Sequence, residues 1–267
     1  MLSVLYEDSD ILVAVKPAGV ESQSARGFAK DMVSEIRRYL TIQARNPQNI
    51  HKLTTLSSKG QGKNQPPYVG VIHRLDKPVS GAMVYAKTKE ADRPVSGIMV
   101  YARNQKAAAS LSSLMQQGKM EKWYKAVVCG KPVDNHGVYV DYLRQNQGEN
   151  RSEIVDKSAA GSKRAELSYT AEASTERCDA GESREYSLVR IRLLTGRHHQ
   201  IRVQFSGHGT PLYGDDKYGE KTAPGQPDLL ALCAFRLSFP HPVTGKRMEF
   251  EMEPSGGAFE WFKENPS

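Results

Sequence analysis

At 267 residues the chain is long enough to bury a real core, as one large domain or two small ones. Its 39% hydrophobic and 25% charged residues are ordinary for a soluble globular protein and argue against a disordered chain, and no apolar run reaches membrane-spanning length. A net charge of +7 tilts the expected partner toward a polyanion, nucleic acid first, and three widely separated cysteines argue against a disulfide framework or a zinc knuckle.

Two short strands are predicted around the acidic turn Glu7-Asp8-Ser9-Asp10, namely Val4–Tyr6 and Ile11–Val15, followed by a Lys16-Pro17-Ala18-Gly19 loop. Met1–Asp8 lacks the basic and apolar blocks of a signal peptide, so a cytosolic protein is expected. Phe28, Met32, Val33, Ile36 and Leu40 recur at helical spacing and predict an amphipathic helix over Ala25–Ala44. Residues 45–68 lose all periodicity and have the composition of a polar loop.

Chemistry first shows in Val71–Gly81. A short apolar run leads through His73-Arg74-Leu75 to Asp76, then to Lys77-Pro78, the turn Ser80-Gly81 and a strand predicted over Ala82–Ala86. Two adjacent cations favour the ionised acid, which equips it as nucleophile, base or ligand. The same pattern also describes a loop aspartate in a surface ion pair.

The unit then repeats. Residues 76–87, DKPVSGAMVYAK, return 16 residues later as residues 92–103, DRPVSGIMVYAR. This reads as a tandem duplication of one loop and strand over residues 76–107, too short for a solenoid. It supplies a second candidate acid, Asp92, preceded by Lys89-Glu90-Ala91 where Asp76 has His73-Arg74-Leu75. Copy two runs directly into a helix predicted over Gln105–Gln117, and either copy can form the strand that precedes it. The preceding apolar run and the His-Arg-Leu triplet favour Asp76, with residues 87–103 as the insertion.

Farther on, Met120–Gly130 predicts a strand carrying Tyr124, and residues 134–163 a hairpin with an exposed loop bearing Arg144, Arg151 and Lys157. Strands are predicted over Ala165–Thr170 and Tyr186–Leu193, with the polar segment Glu176–Ser183 as their turn. Leu194–Phe205 contains Gly196-Arg197-His198-His199-Gln200-Ile201-Arg202, and Tyr213-Gly214-Asp215-Asp216-Lys217-Tyr218-Gly219 follows. Final strands are predicted over Leu229–Phe239 and Arg247–Met252. His198, His199, His208, Asp215 and Asp216 raise the question of a metal site. Adjacent histidines on a strand point to opposite faces and chelate poorly, so no metal is expected.

His73-Arg74-Leu75-Asp76 with Ser80-Gly81 resembles the catalytic motif of the RluA family of pseudouridine synthases. Gly196–Arg202 with Gly207–Gly219 resembles a second segment of that family, in the same order, and the resemblance extends over roughly residues 2–254. It implies an α+β pseudouridine synthase fold: a single catalytic domain over residues 1–267, with a large, mainly antiparallel mixed sheet, flanking helices and a central cleft. No small S4-type RNA-binding domain is expected before residue 71.

The implied activity is cofactor-free isomerisation of specific uridines in ribosomal or transfer RNA. In this reading Asp76 is the catalytic acid, Tyr124 packs on the target base, and Arg202 pairs with the aspartate. His73, Arg74, Arg197, His199 and Gln200 bind substrate, with Arg74 filling the stack that the target uridine vacates. A tyrosine face suits a pyrimidine, and a guanidinium can hold a carboxylate in bidentate fashion. Two positions depart from the family, Val79 for its usual Thr and His198 for Thr or Ser. The expected partner is structured RNA, with no membrane, no metal and no cofactor, and the protein is expected to be a monomer. The alternative is a catalytically impaired RNA-binding protein with the synthase fold, its site damaged by the duplication. A hydrolase using Asp and His has no support beyond residue types. RNA choice is expected to lie in residues 45–68 and 144–163.

Overall fold

The computed structural model describes residues 2–17, 20–23, 31–45, 66–73, 96–146, 148–179, 182–219 and 230–263. Among them, eleven strands form one mixed sheet: β1 (Ser3–Glu7), β2 (Ile11–Lys16), β3 (Gly70–Val71), β4 (Ser96–Ala102), β5 (Glu121–Cys129), β6 (His136–Asn146), β7 (Arg151–Ile154), β8 (Lys163–Asp179), β9 (Glu182–Leu193), β10 (Leu232–Pro240) and β11 (Arg247–Glu251). Their order is β1-β2-β4-β10-β5-β9-β8-β6-β7, with β3 beside β4 and β11 beside β10. The β4–β10 ladder is parallel and the others are antiparallel. Among the described residues three α-helices accompany the sheet, α1 (Met32–Arg45), α2 (Gln105–Gln116) and α3 (Gln200–Gly207), with a 3-10 turn over Gly257–Phe262. This is the α+β architecture expected. No described helix is long and apolar enough to cross a membrane.

The middle of the sheet is covered on both faces, which is why its strands read as unbroken apolar runs. Met99 and Tyr101 of β4 join Leu12 and Ala14 of β2 beneath Met32, Val33 and Ile36 of α1. The intervening Ile98, Val100 and Ala102 join Ile11 and Val13 beneath Ala107 and Leu111 of α2. Asn104 starts α2 by accepting a hydrogen bond from the Ala107 amide at 2.8 Å, and its own amide donates to Asp10 at 2.8 Å, tying the helix to the β1–β2 turn.

The strand position between β2 and β10 is filled by the second copy of the repeat. This corrects the expectation that copy one forms the strand and residues 87–103 are inserted after it. The strand expected over Ala82–Ala86 lies outside the described residues, as do Arg74, Asp76 and Asp92. Connection length favours copy two, because only residues 103 and 104 separate β4 from α2. Packing favours it too. Ser80–Ala86 and Ser96–Ala102 differ at one position, Ala82 against Ile98, and Ile98 is 1% exposed among Ile11, Ile72, Leu237 and Phe239. Alanine there would leave a hole. Arg103, a lysine in copy one, also pairs with Glu7 at 2.9 Å.

β4 and β10 share two register pairs, Ser96 with Cys233 and Gly97 with Ala234. Beyond them the strands part, β3 lining β4 and β11 lining β10. Gly97 permits the close approach, since a Cβ there would lie 2.4 Å from that of Ala234.

Two smaller expectations fail. β8 and β9 stay paired from Glu176–Glu185 out to Asp179–Glu182, so most of the turn expected over Glu176–Ser183 is strand. Its residues are polar and leave no hydrophobic alternation to read. The histidine pair is also not on a strand. His199 is the N-cap of α3 with φ of 52°, and the rings of His198 and His199 stack with centroids 3.7 Å apart.

Candidate active site

A cleft of about 720 Å³ opens between the two parts of the sheet. Lys122 and Tyr124 of β5 and Leu232 of β10 line it, together with Val71–His73 at the end of β3 and the run Thr195–Arg202 that enters α3. Lys122 and Tyr124 are two residues apart on one strand and so share a face. Six of the eight residues predicted to act at the site line this one cleft: His73, Tyr124, Arg197, His199, Gln200 and Arg202. Arg74 and Asp76 are the two that lie outside the described residues.

Arg202 is 1% exposed. Its Nε donates to Asp215 Oδ2 at 2.8 Å and its Nη2 to Oδ1 at 2.7 Å, a side-on bidentate pair. Oδ1 also accepts the amides of Lys217 at 3.0 Å and Tyr218 at 3.1 Å, so the buried carboxylate is well satisfied. The resemblance pairs Arg202 with Asp76, which lies outside the described residues; among the described residues its acid is Asp215. Its signal was the Gly214-Asp215-Asp216 run, which by composition reads as a surface turn. Asp215 thus takes the Nε and Nη2 groups of the guanidinium.

The remaining predicted residues divide into those that touch the cleft and those that shape it. Gln200 braces the loop: its Oε1 accepts from Thr195 Oγ1 at 2.8 Å and the Arg197 amide at 2.9 Å, and its Nε2 donates to Glu166 O at 3.0 Å. Arg197 is exposed, with Nε donating to Arg164 O at 2.8 Å. His199 Nδ1 lies 2.8 Å from the Tyr218 hydroxyl. Burial, then Arg202, His198, Lys217 and Arg151, push its pKa down to about 2, so it is a neutral imidazole. His198 reaches the β6–β7 hairpin, with Nδ1 at 2.8 Å from Ser152 Oγ and Nε2 at 3.1 Å from Asn150 Oδ1. The departure at His198 is thus accommodated by contacts to that hairpin.

Across the cleft, burial and then the Lys122 ammonium push His73 down to about 4, against an opposing backbone hydrogen bond with Ile98. Burial also lowers the pKa of Lys122. Asp8, Asp10 and His241 have metal-ligand spacing but do not line the cleft. Asp8 already accepts from the Asp10 and Ile11 amides through Oδ1, and meets the Tyr6 hydroxyl and His241 through Oδ2. That group closes the β1–β2 turn.

The fold places the chain in a class. It superimposes on the human protein named RNA Pseudouridylate Synthase Domain Containing 1 with a TM-score of 0.61 and 21% identity, over 95% of this chain and 84% of that one. The corresponding human Domain Containing 4 protein gives 0.61 and 18%, over 94% and 88%. These likenesses define a pseudouridine synthase fold.

Sequence then defines the family. The family model for RNA pseudouridylate synthase matches residues 10–91 and 92–207, dividing where the second copy of the repeat begins. The chain is 29% identical over 274 residues to an uncharacterized RNA pseudouridine synthase of Aquifex aeolicus, covering 99% of this chain and 74% of that protein. It is 30% identical over 261 residues to the ribosomal large subunit pseudouridine synthase D of Zymomonas mobilis, covering 94% and 69%. The chain belongs to the RNA pseudouridylate synthase family. It is an isomerase acting on uridine in RNA, and nothing among the described residues of the cleft or in the relatives favours the catalytically impaired alternative.

Proposed function

We propose that the chain makes pseudouridine in RNA of the large ribosomal subunit, with Asp76 as the attacking acid, Arg202 as its guanidinium partner and Tyr124 against the base. The observation that carries this reading is the convergence of His73, Tyr124 and Arg202 on one cation-lined cleft. The ribosomal assignment rests on the D-type relatives, whose names specify that subunit. RNA phosphates meet the cationic rim at Arg197, and the target uridine leaves its stack because an acid in a cleft cannot reach it within a helix. Arg74 fills the space. The C1′–N1 bond breaks, the base turns, and a C1′–C5 bond forms; N1 gains a proton and the C5 hydrogen leaves to solvent, with no net oxidation or reduction. Arg202 holds the acid while Asp215 fixes its guanidinium through Nε and Nη2. His199 and Gln200 set the loop that brings Arg197 and Arg202 to the substrate.

A second reading assigns the acid to Asp92, because the strand in the sheet belongs to its copy. In an uninterrupted motif one acid stands three residues after the histidine and four before the serine. Here those two relations fall on two acids, Asp76 after His73 and Asp92 before Ser96. At about 3.5 Å per extended residue, the chain lets Asp76 range about 11 Å from His73, which lines the cleft, and Asp92 about 14 Å from Ser96. Asp76 alone keeps Arg74 beside it.

Tritium release from RNA carrying C5-labelled uridine, prepared from cells lacking this protein, separates the two. Loss of release in Asp76→Asn with retention in Asp92→Asn is expected. The reverse pattern transfers the role to Asp92, and retention in both variants removes both acids from the chemistry.

A further inference from the structure

We propose that Tyr218 is a positioning residue for the isomerisation, holding the Arg202 guanidinium and tying its setting to the β6–β7 hairpin. This rests on the reading above that Arg202 serves the reaction. The Tyr218 ring is shared by two guanidinium groups, with Arg202 Cζ and Arg151 Cζ each 5.2 Å from its centroid. Arg202 belongs to the cleft. Arg151 is an exposed residue at the start of β7.

The phenol and the backbone complete the link. The Tyr218 hydroxyl accepts the Ser152 amide of the hairpin at 2.7 Å and meets His199 Nδ1 at 2.8 Å. A neutral His199 offers Nδ1 as an acceptor, so one hydroxyl serves both partners. The Tyr218 amide donates to Asp215 Oδ1, the oxygen that also takes Arg202 Nη2. Tyr218 is thus joined to Arg202 by its ring and by a shared carboxylate, and to the hairpin by its hydroxyl and by Arg151. The hairpin carries exposed Arg144, paired with Glu153 at 2.8 Å, and exposed Arg151, and the exposed Lys157 follows it, cations suited to RNA phosphates. RNA held there bears on the same ring that fixes Arg202, and a guanidinium aimed at a carboxylate loses effect when its plane turns.

The test is a set of steady-state constants from the tritium-release assay for Tyr218→Leu, Tyr218→Phe, Arg151→Met, Arg202→Met and the double variant Tyr218→Leu with Arg202→Met. Tyr218→Leu is expected to lower kcat about 10- to 100-fold with KM changed less than about threefold, whereas Tyr218→Phe, which keeps the ring, stays within about fivefold of wild type. Arg151→Met, a surface change that keeps the fold, is expected to lower kcat about three- to tenfold as well as raise KM. Adding Tyr218→Leu to Arg202→Met should cause no further loss, since the ring then has nothing to position. The proposal is overturned if Tyr218→Leu leaves kcat within twofold, if its effect is undiminished in the Arg202→Met background, or if Tyr218→Phe is as damaging as Tyr218→Leu. An Arg151→Met variant altered in KM alone overturns the link to the hairpin. Unchanged kcat in Arg202→Met would instead refute the site reading on which the proposal stands.

Discussion

Ile98→Ala tests why the second copy of the repeat occupies the sheet. The side chain is 1% exposed, packed with Ile11, Val13, Ile72, Leu237 and Phe239 beneath α2. Removing three carbons forfeits about 2.4 kcal/mol of transfer free energy at about 0.8 per carbon, and incomplete collapse of the hole brings the total to about 3–4 kcal/mol. The substitution also makes the two copies identical from serine to the last alanine of the strand. Urea unfolding measures the loss, with the slope against denaturant unchanged if the fold is kept. A loss under about 1 kcal/mol would refute the packing argument. Adding Ala82→Ile restores stability only where copy one can take the strand position. The short link from β4 to α2 opposes that exchange, so recovery under about 0.5 kcal/mol is expected.

Asp215→Asn leaves the Arg202 guanidinium buried without its counter-charge and should cost about 3–5 kcal/mol in urea unfolding, together with most of the tritium release. A variant as stable as wild type would contradict the buried pairing. His199 is held neutral in the fold, with a pKa near 2 against an ordinary 6.5. Its contribution to stability is therefore complete above pH 6.5, and it declines on acidification because the unfolded chain takes the proton first, by up to about 1.4 kcal/mol per pH unit. His73, depressed to about 4, adds in the same direction. His199→Gln should flatten the stability profile between about pH 4 and 6, and an unchanged slope would count against a buried neutral ring. Excising residues 80–95 joins Val79 to Ser96 and restores an uninterrupted motif. The product should fold and release tritium through Asp76 alone, as Asp76→Asn in that background will report; activity surviving there would show a different acid at work.

Much of the fold was legible because its core strands and α1 are strongly patterned. Ile11–Val15, Met120–Gly130 and the run from Met32 to Leu40 needed no tertiary information. The two segments that line the cleft were legible as a resemblance, and His73, Tyr124 and Arg202 meet there. The placement of the copies was not legible, since it turns on one buried side chain and a two-residue connection, neither of which marks a sequence. Asp215 was hidden for a different reason: a Gly-Asp-Asp turn looks solvated until a buried arginine is known to lie beneath it. Tyr218 was equally opaque, because its importance comes from neighbours far apart in the chain, Arg151 and Arg202.

The two-pair ladder at Gly97 and Ala234 has a mechanical meaning. β2 and β4 share six register pairs, and β5 and β9 share eight, whereas β4 and β10 share two. His73 follows β3 on the β4 side of that junction, and Arg202 lies in α3. A side chain at Gly97 would press on the Cβ, carbonyl oxygen and Cα of Ala234, so Gly97→Ala should force β4 off β10 and cost stability in urea unfolding, from a position in the sheet that has no side chain of its own.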